Sequence, residues 1–236
     1  MSGDIEAYLF RVDPRSLSDR TVEERCLPLL SPAERARHDR LAAKERRLEL
    51  AATHALVRLA LAQVTGEPAS TWAVRRDSLG RPLVEGPVAG LHASVTHTPG
   101  LVACLIAPCD AGVDAELLSP RVPYMRIAEQ VFSPTELAGL KALDDQGRID
   151  RFFLLWSIKE ALAKARGEGI TAPPDRISVE PHPDGSVEVD VPADCTVTFR
   201  HWCVHWQRPT PEHILATCVA TPDGRPPILT EHVGLP

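Results

Sequence analysis

Ser31-Pro32-Ala33-Glu34 and Ser133-Pro134-Thr135-Glu136 are the same four-residue signal, spelled twice 102 residues apart. In each, Ser suits the N-cap and Pro the first helical position, where its missing N–H costs nothing. Glu at the third position can then reach back to the N–H of the cap. After the first copy, Leu41, Leu48, Ala52, Leu56, Leu59 and Ala62 recur in steps of three, four and seven. That spacing predicts a helix with one apolar face. After the second copy, at the same offset, Trp156, Ala161 and Leu162 stand against His54, Leu59 and Ala60. Gly66 ends the first helical region, and Gly167 with Gly169 the second.

The order downstream also repeats. A short strand over 71–74 leads to the turn Asp77-Ser-Leu-Gly80; in the second half 176–180 leads through Pro183-Asp184-Gly185 to 186–190. Asp-Gly between alternating runs predicts a hairpin. Apolar runs at 101–107 and 214–220 close the two halves, followed by Pro108 and Pro222. The expected fold is therefore α+β, a pseudo-two-fold duplication of two similar halves, each with helices packed on a small antiparallel sheet. The halves are residues 1–108 and 109–220. Residues 221–236, rich in Pro and Gly, are expected to form a surface tail.

Composition narrows the functional class. The 236 residues are 44% hydrophobic and 25% charged, which suits a globular chain with a real core. A net charge of -6 argues against nucleic acid as a partner. No apolar run approaches the roughly 20 residues of a membrane span. The acidic start, Met1-Ser-Gly-Asp-Ile-Glu, lacks a signal-peptide pattern, so a cytoplasmic address is expected. Six cysteines, at 26, 104, 109, 195, 203 and 218, are too few and too scattered for a disulfide scaffold.

Three short segments carry the chemistry. In Gly112-Val113-Asp114-Ala115-Glu116, a strand places Asp114 and Glu116 on one face. Paired carboxylates repel unless a cation lies between them, and their oxygens suit Mg²⁺; the plain alternative is a polar strand end in solvent. In the helical stretch from Arg151 to Lys164, Glu160 and Lys164 are four apart on one face, which is either a surface ion pair or a metal ligand beside a phosphate contact. Arg81 in Gly-Arg-Pro, with Thr96 and His97 in Ser-Val-Thr-His-Thr, offers a cation, a hydroxyl and an imidazole suited to an anion.

Taken in order, Gly80-Arg81-Pro82, Ser94-Val-Thr-His97-Thr, Gly112-Val-Asp-Ala-Glu116 and Trp156-Ser-Ile-Lys-Glu-Ala-Leu-Ala-Lys164 resemble the motifs of the Sfp-type 4′-phosphopantetheinyl transferases. The resemblance runs from about Ser31 to the last strand, and its last two motifs are specific. It implies the family fold and a Mg²⁺-dependent transfer of the phosphopantetheine arm of coenzyme A to the serine of an apo carrier protein, releasing 3′,5′-ADP. The carrier serves fatty-acid, polyketide or peptide synthesis. A non-catalytic coenzyme A or carrier-binding module of the same fold is the alternative. The family's metal carboxylates fall on Asp114, Glu116 and Glu160, its phosphate-contacting His on His97, and its helix Lys on Lys164. Thr96 and Arg81 stand where the family often has Ser and Lys, and Lys159 belongs to the same helix motif. The family's Arg nine residues before Arg58 is Glu49 in this chain, which leaves Arg37 and Arg47 as candidates for the 3′-phosphate. With both halves in one chain, a monomer is expected.

Overall fold

A computed structural model describes residues 4–167, 174–190 and 201–236; Gly169 and Cys195 lie outside them. The chain divides into two units, 1–109 with 227–236, and 110–226.

The first unit runs β1 (Glu6–Val12), a single turn α1 (Asp19–Thr21), α2 (Pro32–Arg40), α3 (Lys44–Thr65), a hairpin of β2 (Ala73–Arg76) and β3 (Pro82–Glu85), then β4 (His92–Thr98) and β5 (Leu101–Ala107). β5 lies between β1 and β4, antiparallel to both, with Leu105 opposite Leu9 and Ser94. All seven of its residues are buried, which is why its sequence is a continuous apolar run rather than an alternating one. Ala52, Leu56 and Ala60 of α3 pack on Phe10, Val102, Cys104 and Ile106 of that sheet. The small alanines let the helix lie close to the strands.

The second unit runs β6 (Ala111–Leu117), α4 (Tyr124–Val131), α5 (Pro134–Lys141), α6 (Asp145–Arg166), the hairpin β7 (Ser178–Pro181) and β8 (Val187–Asp190), then β9 (His201–Thr210) and β10 (His213–Thr221). Its sheet order is β6-β10-β9, the counterpart of β1-β5-β4. α3 and α6 each have 22 residues and each stops at a left-handed glycine, Gly66 (φ 79°) and Gly167 (φ 68°). The internal repeat is thus a repeat of topology, element by element. Among the described residues no helix is long and apolar enough to cross a membrane.

The expected tail at 221–236 departs from this reading. Residues 228–233 form β11 (Ile228–Val233), which pairs parallel with β1 and belongs to the first unit. β5 covers one edge of β1, and without a second neighbour its other edge would offer unpaired backbone groups that an extended segment can satisfy. Ile228-Leu-Thr-Glu-His-Val233 does so, with Phe10 stacked on His232 at 4.6 Å and Gly234 N–H donating to the Arg11 carbonyl.

Both capping boxes form. Ser31 N–H donates to Glu34 at 2.7 Å while Ser31 Oγ accepts from Glu34 N–H; Ser133 and Glu136 repeat the pattern, with the cap N–H at 2.8 Å. Each glutamate is also held by the long helix that follows. Glu34 pairs with His54 (2.8 Å) and Arg58 (3.1 Å) on α3, and Glu136 with Lys159 (2.9 Å) on α6. The device therefore joins two helices as well as starting one.

Burial alone would raise the proton affinity of Glu34. The His54 hydrogen bond, the Ser31 N–H and the charges of His54 and Arg58 outweigh it, and bring the carboxyl from 4.5 down to about 2. A depressed folded-state value means stability that is complete above the unfolded value and is lost as pH falls toward the folded one. About 3 kcal/mol is at stake at roughly 1.4 kcal/mol per unit. Urea unfolding of wild type and Glu34→Gln is expected to differ by that order at pH 6, the gap narrowing steadily between pH 4.5 and pH 2.5. A gap independent of pH would show that the ionised carboxylate is not what holds α2 to α3.

Candidate functional site

Gly112, Asp114 and Glu116 share the face of β6 that meets α6. A Cβ on Gly112 would lie 2.0 Å from the Ala161 carbonyl oxygen and 2.6 Å from the Ala165 nitrogen. Those are backbone atoms that cannot step aside, so only glycine lets strand and helix approach this closely. The approach delivers Lys164 to the acids. Its ammonium donates to Asp114 Oδ1 at 2.7 Å and to the Val113 carbonyl at 3.1 Å. Trp156, two turns earlier on α6, donates its indole N–H to Glu116 Oε1 at 3.1 Å and stacks on Phe152.

Glu160 lies one turn before Lys164, and the three carboxylates act on one another. Burial first, then the charge of Asp114, raise the proton affinity of Glu116; the Trp156 bond and Lys164 oppose them, Glu160 adds to them, and the value settles at about 7. Glu160 is likewise raised, by burial and then by Asp114, against Lys164. Fully ionised, three acids face one ammonium, so the cluster carries excess negative charge.

The sequence reading has these three acids sharing one metal ion. Among the described residues, no group of three or more His, Cys, Asp or Glu side chains is gathered closely enough to hold one. Lys164 takes Asp114 Oδ1 and Trp156 takes Glu116 Oε1, so two of the three carboxylates are turned to local partners. The donor set itself fits a hard divalent cation: oxygen ligands, mutual repulsion and excess negative charge.

In the first unit a pocket of about 250 Å³ is lined by Arg37 of α2, Arg46, Glu49 and His54 of α3, Arg76 of β2 and His97 of β4. His97 Nδ1 and Glu49 Oε1 are 2.5 Å apart, and Arg46 Nη1 lies 3.3 Å from Glu49 Oε2. Three guanidiniums and two imidazoles around one cavity suit a phosphate.

The other expected contacts lie elsewhere. Arg47 donates to the Leu41 carbonyl and is outside the pocket lining. Arg81 is half-buried, with Nη2 3.0 Å from His92 Nδ1 at the start of β4. Thr96 is buried, because alternation along β4 sends it to the face opposite His97. Lys159 is turned into the core. Its ammonium sits on Glu136 and the Ile177 carbonyl, over the Phe132 ring. Arg76 and His54 line the pocket with no sequence signal pointing to them, and Arg46, which stands near the family's Arg position but out of register, lines it too. Arg46, Glu49 and Thr53 are spaced as one helix face, the one signal that could have found part of the lining.

Residues 110–218 match the family model described as the 4′-phosphopantetheinyl transferase superfamily. The chain is similar to 4′-phosphopantetheinyl transferase Sfp of Bacillus subtilis, 28% identical over 85% of this chain and 86% of that protein. It is also similar to 4′-phosphopantetheinyl transferase HetI of Nostoc, 31% identical over 60% of this chain and 61% of that one. A solved holo-(acyl-carrier-protein) synthase of Bacillus anthracis aligns with 47% of this chain and 94% of its own, at 21% identity and a TM-score of 0.40.

Proposed function

On the premise that this chain belongs to the 4′-phosphopantetheinyl transferase superfamily, we propose that it transfers the 4′-phosphopantetheine arm of coenzyme A to the acceptor serine of an apo acyl or peptidyl carrier. The observation that carries this is the meeting of Asp114, Glu116, Glu160 and Lys164 where β6 lies on α6. Phosphoryl transfer asks mainly for positioning and for neutralisation of charge, and a cluster of this kind offers both. Asp114, Glu116 and Glu160 are the residues that would hold Mg²⁺, which when bound neutralises pyrophosphate charge.

The steps assigned to the chain's own groups are these. His97 and Arg37 hold phosphate oxygens of coenzyme A. Lys164 stands by the pyrophosphate and takes part of the charge on the leaving group. Glu160 accepts no hydrogen bond from another described residue, so its lone pairs are open to the proton of the attacking serine. The serine oxygen bonds to the phosphorus bearing the pantetheine arm, the bond from that phosphorus to the bridging oxygen breaks, and 3′,5′-ADP leaves. The chain works as a monomer in the cytoplasm.

The test weighs the acceptor. Incubated with coenzyme A, Mg²⁺ and an apo carrier domain, the protein is expected to raise the carrier's intact mass by one phosphopantetheine and to release 3′,5′-ADP in equal amount. A carrier of unchanged mass, across acyl, polyketide and peptidyl types, would overturn the reading.

A further inference from the structure

We propose that Glu49 is a positioning residue: an acid inside a cationic pocket that holds the His97 ring for a phosphate monoester. The inference deepens the reading of this chain as a coenzyme A-dependent transferase and rests on it. A carboxylate in an anion-binding pocket is repulsive unless hydrogen-bonding or cationic partners consume its oxygens. Both oxygens of Glu49 are so consumed, Oε1 by His97 Nδ1 at 2.5 Å and Oε2 by Arg46 Nη1 at 3.3 Å. The burial runs the same way. The Glu49 side chain is 10% exposed, against 51% for His97 and 64% for Arg46. An incoming anion therefore meets the imidazole and the guanidinium first and the acid behind them.

The imidazole has two nitrogens on opposite edges. With Nδ1 tied to Glu49, the edge carrying Nε2 is the one left to the pocket, and a protonated ring offers the ligand an N–H there. Glu49 is itself well placed to act as a brace. It lies in the second turn of α3, where Thr53 Oγ1 donates to the Glu49 backbone carbonyl, and it is followed by the buried Leu50 and Ala51. The Arg46 contact is longer and exposed, so the effect of Glu49 on binding passes chiefly through His97.

A double-mutant cycle read by calorimetry with 3′,5′-ADP decides this. Glu49→Ala and His97→Ala are each expected to raise the Kd about tenfold, the scale of one hydrogen bond to a charged group. The double variant should bind within about twofold of His97→Ala alone, because a brace has nothing left to hold. Glu49→Gln, which keeps an acceptor for Nδ1 and the shape of the side chain, should lose less than Glu49→Ala. Binding by Glu49→Ala equal to or tighter than wild type would overturn the proposal, as would independent losses that multiply in the double variant. Carrier transfer by the wild-type protein is assayed alongside. Its absence would remove the enzymatic reading, whereas the cycle judges Glu49 by binding alone.

Discussion

Asp114→Ala is expected to stop carrier modification while leaving the protein folded. The side chain is buried and carries the charge that both neighbouring glutamates feel. It also fixes Lys164, whose ammonium it accepts at 2.7 Å. Removing it takes a carboxylate from the proposed cation-binding set and frees Lys164, the residue proposed to stand by the leaving group. Loss of a single charge-stabilising group at a reacting centre slows catalysis by roughly a hundred- to a thousandfold. The fold should tolerate the change because the partner left behind is not trapped: the Lys164 side chain is 32% exposed and can turn its ammonium to water. Asp114→Asn, which keeps the shape and loses the charge, should be as inactive as the alanine variant. The check is the rate of carrier mass increase at saturating Mg²⁺, beside urea unfolding curves. Transfer within about tenfold of wild type, with an intact fold, would remove Asp114 from the chemistry.

What the sequence made legible was periodic. A strand's period of two puts Gly112, Asp114 and Glu116 on one face, and a helix's i,i+4 spacing puts Glu160 and Lys164 on another. The meeting of those faces follows from Gly112, whose missing side chain leaves the space that α6 fills. The Ser-Pro-x-Glu pair announced both helical layers, and the apolar runs announced β5 and β10. The misses were matters of direction and partner. Lys159 is adjacent to Glu160 in sequence, but one residue is about 100° around a helix, enough to send it to the core instead of the acids. The lining of the pocket draws on α2, α3, β2 and β4, and no single-segment pattern encodes such an assembly. β11 was hidden because its six-residue run follows Pro222, Gly224, Pro226 and Pro227, which read as loop. Only its pairing with the open edge of β1 makes it a strand.

Lys159→Met should cost the protein stability rather than ligand affinity. Lys159 and Glu136 form an ion pair whose side chains are only 6% and 4% exposed. Burial lowers the proton affinity of Lys159, and the charge and hydrogen bond of Glu136 recover only part of it. A pair of this kind adds little net stability compared with apolar residues, yet losing one member strands the other's charge in the core. Glu136 would keep the N–H groups of Ser133 and Val179 as donors, with no cation beside it. The expected loss is about 3–5 kcal/mol of unfolding free energy. Glu136→Gln added to Lys159→Met removes the stranded charge, and Gln still serves at the third position of a capping box, so most of the loss should return. Urea midpoints of wild type, both single variants and the double variant measure this. Binding of 3′,5′-ADP by every variant that folds should match wild type, because the lysine ammonium faces the α5–β7 side of its helix. If Lys159→Met instead weakened binding without shifting the urea midpoint, the lysine would belong to the ligand and the buried pair would have been misread.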